Sequence, residues 1–252
     1  MIHFVTFNIR CDYEQDGPNN FCFRRERILK KLEEEKPDII CFQEVLPHVA
    51  AWLKQELADY YVLGCGRSEE FQDEQMAVAY RPDRFDLISW ETFWLSDSGR
   101  PGSRFEGQSI CPRTAAEALL YDREEKEIYR VFNTHLDHVS GDARKRGLGQ
   151  ILDRIECPGT FPEAGVILAG DFNAEPDGPE LAELWGRGRL TDASEGLGGT
   201  FHDYGQLSQP EKIDYICLAE PLHFKEAKRW EDCVDGVYLS DHYPVSVKIY
   251  RE

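Results

Sequence analysis

The chain has 252 residues, 41% hydrophobic and 30% charged, proportions of a globular protein that can bury a core without disulfide staples. Its formal net charge of -18, from 29 Lys and Arg against 47 Asp and Glu, excludes the broad basic face that grips long duplex DNA. The eight cysteines form no C-x-x-C pair and no stretch reaches the length of a membrane span, which excludes a zinc knuckle and a transmembrane helix.

Ile2 to Ile9 is rich in strand-favouring residues and opens the chain as a strand. The start, Met-Ile-His-Phe-Val-Thr-Phe, lacks the basic and long apolar segments of a signal peptide, which predicts a cytoplasmic setting. A turn-rich loop runs from Cys11 to Asn20, with Asp16-Gly17-Pro18 as its turn signal. Arg24 to Lys36 reads as a helix with Ile28, Leu29 and Leu32 on its apolar stripe, and Pro37 ends it. Its basic residues Arg24, Arg25, Arg27, Lys30 and Lys31 read as a solvated face. Asp38 to Phe42 follows as a buried strand, then Val49 to Leu57 as a helix and Tyr60 to Leu63 as a strand.

Met76 to Tyr80, Phe85 to Leu95, Thr114 to Tyr121 and Ile128 to His135 are short extended segments separated by turns, the pattern of an antiparallel sheet. Ala143 to Ile155 is a second helix, with Leu148, Ile151, Leu152 and Ile155 on one face. Gly165 to Gly170, Ile213 to Leu218 and Val245 to Tyr250 complete the strands. The second half repeats the strand and helix order of the first without repeating its letters. No Pro/Gly/Ser-rich linker divides the chain, so residues 1–252 are expected to form a single domain of two packed sheets with helices outside.

Polar groups stand at the ends of several apolar runs, where α/β folds expose functional side chains. Ile167-Leu168-Ala169-Gly170 runs into Asp171 and Asn173, two apart and so on one face of an extended chain. A carboxylate there can take a proton from water and a carboxamide can hold it; an Asx turn is the structural alternative. Asp241-His242 stands just before the last strand, an acid beside a group that titrates near neutral pH. Glu44 follows Ile39 to Phe42, where a buried carboxylate needs a cation or an ion pair. His135, Asp137 and His138 crowd another strand end, although a zinc hydrolase would want a further His where Asn133 stands. Asn8 ends the first strand, and Asp214 interrupts an apolar strand, where a histidine ring or backbone N–H groups would satisfy it.

Taken together, Thr-Phe-Asn8, Phe-Gln-Glu44, Thr-His135, Gly-Asp171-Phe-Asn173, Ile-Asp214-Tyr and Ser-Asp241-His242 resemble, in order and across the whole chain, the endonuclease/exonuclease/phosphatase superfamily, the deoxyribonuclease I-like group. The resemblance implies a four-layer α/β/β/α sandwich with two mostly antiparallel, mixed sheets. It implies Mg²⁺, with Mn²⁺ able to substitute, held mainly by Glu44 and assisted by Asn8 and Asp241. It also implies that Asp171 orients or deprotonates the attacking water beside Asn173, that Asp214 pairs with His242, and that His135 steadies the phosphoryl oxygens.

Asp16-Gly-Pro-Asn-Asn20-Phe21, Ala79 to Phe85, Thr92-Phe-Trp94-Leu-Ser96, Pro112-Arg113-Thr114 and Thr134 to His138 resemble a bacterial branch of uncharacterised members. That likeness implies a substrate pocket lined by Arg113, Asp137, Asn20 and Trp94; the alternative is Trp94 as core and Arg113 as a surface ion pair. The branch usually carries Trp where Phe21 stands. Apurinic endonucleases place an acid two residues beyond the first-strand Asn, where this chain has Arg10, which argues against abasic-site repair. The expected activity is hydrolysis of a small or exposed phosphodiester or phosphomonoester. A nuclease for short or single-stranded nucleic acid would need an electropositive groove with stacking aromatics, and the charge opposes it. A non-catalytic binding module on the same fold would have lost at least one of these polar residues, and none is missing.

Overall fold

Apolar residues alternate along the strands so that each central strand has two buried faces. In β1 (Ile2–Asn8) Phe4 faces one way and Val5 and Phe7 the other; in β2 (Ile39–Val45) Ile39 and Cys41 oppose Ile40 and Phe42. The computed structural model, which describes residues 1–157 and 159–251, turns this alternation into layers.

The first sheet has the order β11-β14-β1-β2-β4-β3, where β3 is Tyr61–Leu63, β4 Gln75–Tyr80, β11 Leu222–Arg229 and β14 Val245–Arg251. The second has the order β5-β6-β7-β8-β10-β9, built from β5 (Phe85–Trp94), β6 (Thr114–Asp122), β7 (Glu127–His135), β8 (Gly165–Asp171), β9 (Leu190–Asp192) and β10 (Asp214–Ala219). Phe4, Cys41 and Val78 of the first sheet pack against Val131, Ile167 and Ile216 of the second. The outer face of the first sheet is covered by α1 (Phe21–Glu35) and α2 (Pro47–Glu56). The outer face of the second is covered by α3 (Gly141–Glu156) and the short α4 (Ala182–Gly186). The result is the four-layer sandwich, with mixed sheets.

The two sheets are built alike. β1 and β2 are parallel and joined through α1; β7 and β8 are parallel and joined through α3. Every other pairing in the two sheets is antiparallel. A parallel pair needs a helical crossover, and both crossovers carry the chain from one strand's C-terminal end back to the next strand's start. The C-terminal ends of β1, β2, β7 and β8 therefore lie at one rim.

Some expectations change. Met76 to Tyr80 joins the first sheet, on β2, while the next three extended segments form the antiparallel run of the second. The helix begins at Phe21, where the Asn20 side chain accepts from the Cys22 N–H and caps it. Arg24 does not belong to a solvated face. It is fully buried on the same side as Phe21, Ile28 and Leu32, while Arg25 and Lys30 are exposed as expected. β11, β9, α4 and a small ribbon of β12 (Cys233–Val234) and β13 (Val237–Tyr238) were not anticipated. Among the described residues no helix is long and apolar enough to cross a membrane.

Candidate active site

Strand register builds one side of the site. His135, Asp171 and Asp214 stand directly opposite one another on β7, β8 and β10. Neighbouring strands lie about 5 Å apart, so three polar side chains meet in one row. The other side comes from the first sheet. A bulge between Phe42 and Val45 turns Glu44 out of the regular ladder, with φ at +60°. Asn8 Nδ2 donates to Glu44 Oε1 at 3.0 Å and to Asp171 Oδ2 at 3.0 Å, joining the sheets. Asp241 and His242 enter from the segment before β14. A second polar bolt lies deeper: Gln43 Nε2 donates to Asn133 Oδ1 at 2.7 Å, and Asn133 Nδ2 donates to the Phe42 and Ala77 carbonyls at 2.8 and 2.9 Å. Asn133 is thus committed to the scaffold.

His242 Nδ1 donates to Asp214 Oδ2 at 2.8 Å, which fixes the ring and turns Nε2 toward Asp171 Oδ2, 3.8 Å away. Burial opposes a charge on His242, but Asp214, Asp171 and Asp241 outweigh it and raise its pKa to about 10. Asp171 is pushed up to about 7 by burial and by Asp214, with His242, the Asn173 N–H and Asn8 pulling the other way. Glu44 goes down instead: burial works against its charge, yet the Cys11 N–H at 2.8 Å, Arg10 and Asn8 hold it ionised. His135 is driven well below its ordinary value by burial and by Arg113 and Arg67, so it is neutral, with Nε2 3.4 Å from Asp171 Oδ2.

These groups open into one cavity of about 370 Å³, whose lining includes Glu44, His135, Asp171, Asn173, Asp241 and His242. Asn173, at φ +48°, donates its backbone N–H to Asp171 Oδ1 at 2.9 Å and its side chain to the Leu136 carbonyl at 3.0 Å. Arg113 is buried on the cavity wall, and its Nη2 lies 2.8 Å from His138 Nδ1. Asp137 is buried and accepts from the Ser109 hydroxyl and from the Val139 and Ser140 N–H groups, stapling two loops together. Asn20 is engaged with α1, Asp12 and the Tyr13 carbonyl. Trp94 is buried and donates Nε1 to the Arg67 carbonyl at 2.6 Å. Of the four residues expected to line the pocket only Arg113 does so; Asp137, Asn20 and Trp94 are taken up by the loops instead.

The lining includes His138, which the sequence grouped with His135, and also residues that sequence reasoning did not place there: Arg10, Tyr13, Glu74 and Phe201. Phe201 packs on the His242 ring at 5.0 Å between centroids. Glu74 is held by Arg67 in a two-pronged pair at 2.7 and 2.8 Å. Its one sequence cue is an acid directly before the alternating run of β4.

The oxygen-rich wall suits a hard divalent cation. Glu44 stays ionised while its neighbours hold it with N–H groups, the state a carboxylate ligand requires. Asp241 faces the same cavity. Asn8 presents its amide nitrogen to the acids and its oxygen to the Arg10 N–H at 3.0 Å, so it would offer that oxygen to a cation only after an amide flip. Asp171, Asp214 and His242 carry potential ligand atoms within 4.8 Å of one another. Because His242 already donates to Asp214, that trio is better suited to moving a proton than to caging a metal.

The family model described as Endonuclease/Exonuclease/phosphatase family matches residues 5–242. Uncharacterized protein L388 of Acanthamoeba polyphaga mimivirus is 26% identical over 251 residues, covering 89% of this chain and 90% of that protein. Tyrosyl-DNA phosphodiesterase 2 of Bos taurus is 27% identical over 175 residues, which cover 68% of this chain but 41% of that longer protein. The crystal structure of the endonuclease/exonuclease/phosphatase from Bacteroides vulgatus superimposes with a TM-score of 0.92 at 28% identity, covering 100% of this chain and 99% of that one. Fold, strand-end chemistry and a match along nearly the full length agree, and the chain belongs to the endonuclease/exonuclease/phosphatase family, whose members are hydrolases acting on phosphate esters.

Proposed function

We propose that this chain hydrolyses a small or exposed phosphate ester by attack of water, with Mg²⁺, or Mn²⁺ in its place, held by Glu44 and Asp241 and assisted by Asn8. The observation that carries this reading is the orientation of His242, tied through Nδ1 to Asp214 at 2.8 Å while Nε2 faces Asp171 in a cavity shared with Glu44 and Asp241. When bound, the cation supplies charge that stabilises the phosphoryl oxygens and the leaving oxygen.

Asp171 is the base that takes the proton of the attacking water, and the Asn173 N–H holds its carboxylate in place. His242, charged at neutral pH, donates from Nε2 to a phosphoryl oxygen. His135, neutral and buried, steadies a second oxygen. Arg113 binds the ester from the cavity wall, and Asp137 shapes the adjoining rim. Asn20 and Trp94 support the loops around it. The whole of residues 1–252 serves as one catalytic unit. Eight free cysteines fit a reducing, cytoplasmic setting.

The test is turnover of p-nitrophenyl phosphate, bis-p-nitrophenyl phosphate and inositol phosphates with Mg²⁺, Mn²⁺ or EDTA. Release from at least one ester is expected, lost with EDTA and reduced about 10²-fold or more by Asp171→Asn or His242→Ala. Asp171 works as a base only once deprotonated, so kcat/KM should rise with pH through about 7 and level off below about 10. Full activity in either variant, or a rate that falls as pH rises from 6 to about 8, removes the assignment.

A further inference from the structure

Arg10 is held in this site from several sides. It follows β1 with φ at +61°, a backbone conformation that non-glycine residues rarely adopt, and its N–H is bound by Asn8 Oδ1. Its guanidinium is clamped by Asp16 through Nε at 3.1 Å and Nη2 at 3.2 Å. Tyr204 donates its hydroxyl to the same Asp16 at 2.9 Å, and the Tyr13 ring lies 5.1 Å from the guanidinium carbon. The remaining nitrogen, Nη1, lies 3.3 Å from Asp241 Oδ2 on the cavity wall. Burial works against the charge, but Asp16, Asp241 and Glu44 raise the pKa far above its ordinary value.

Two of the acids assigned to the cation, Glu44 and Asp241, therefore share a fixed positive charge already built into the chain. A second divalent ion beside them would have to approach that guanidinium at close range, in a partly buried site where like charges repel strongly. The two-pronged clamp on Asp16 leaves the arginine little freedom to swing away. An acid at this position would have the opposite effect, adding a ligand where the arginine now repels a cation.

We propose that Arg10 is a resident cation of the site and restricts it to a single divalent ion. The inference rests on the phosphoesterase reading above for the place of that ion, and concerns the number of ions the site can hold. The test counts ions directly. The full chain is titrated with Mn²⁺ at neutral pH, with free Mn²⁺ read by electron paramagnetic resonance and heats by calorimetry. Wild type and Arg10→Lys, which keeps the charge, should bind one ion; Arg10→Asp should bind two. Two ions in wild type, or one in Arg10→Asp, overturns the proposal. Should Arg10→Asp fail to fold by circular dichroism, Arg10→Gln decides the matter. Its single ion should bind roughly tenfold tighter or more, and unchanged or weaker binding overturns the inference. Ion counts that behave as expected in a chain that cleaves no ester would sink the functional reading alone. Metal-dependent hydrolysis with two ions in wild type would sink this inference alone.

Discussion

Arg24 shows how far one side chain can bind distant parts of this chain together. It is fully buried and bonds to four backbone carbonyls: Asn19 at 2.6 Å, Ile9 at 2.7 Å, Leu239 at 2.9 Å and Arg10 at 3.2 Å. Ile9 and Arg10 follow β1, and Leu239 precedes Asp241, so Arg24 fixes two of the segments that deliver charged groups to the cavity. Arg24→Leu would leave those carbonyls unpaired and cost about 3–5 kcal/mol. Urea unfolding measures it, and a loss below about 1 kcal/mol would contradict the role. On sequence alone Arg24 reads as part of a solvated basic helix face. A cue was nonetheless present: Arg24, Ile28 and Leu32 are four apart and share one helix face. That Asp214 needs a donor was legible, since it interrupts an apolar run; that the donor is His242 rather than the backbone was implied only by the family resemblance. The Cys11 N–H that holds Glu44 was not, because backbone donors leave no mark in the letters.

Among the elements, β7 and β8 depend on Gly170. It sits at φ +141°, and a Cβ there would come 1.9 Å from the Thr134 carbonyl oxygen. Thr134 and Gly170 are register partners, one step before His135 and Asp171. Gly170→Ala must therefore push the strands apart beneath the row of His135, Asp171 and Asp214. The expected result is a melting temperature at least about 5 °C lower, with activity falling further than stability alone explains. A change within about 1 °C would show that the strands can accommodate the methyl group. Buried strands such as β1, β2 and β8 were readable from continuous apolar runs ending in polar groups. β11 was not: it is an edge strand with a register shift between Lys225 and Lys228, and its middle is exposed. β9 has three residues and α4 five, too short for any period to show. Which sheet β4 would join was also hidden, because alternation reports two faces but no partner.

At the scale of the molecule, a net charge of -18 surrounds a cavity already rich in carboxylates. That field opposes long polyanions, which supports the proposal of a small ester as substrate. The arrangement of the first sheet has a consequence of another kind. β14 lies between β1 and β11, with Ile249 opposite Ile2, so a strand far along the chain completes the sheet that β1 begins. While it is missing, β1 has an open edge and β11 has no neighbour. A chain cut before Val245 should stay open to protease, however long it waits; protection equal to that of residues 1–252 would contradict this. Pairing between the far ends of a sequence is slow to form. Asp241 and His242 lie just ahead of β14, so the cavity should gain both groups in one step, when that strand docks, rather than by degrees.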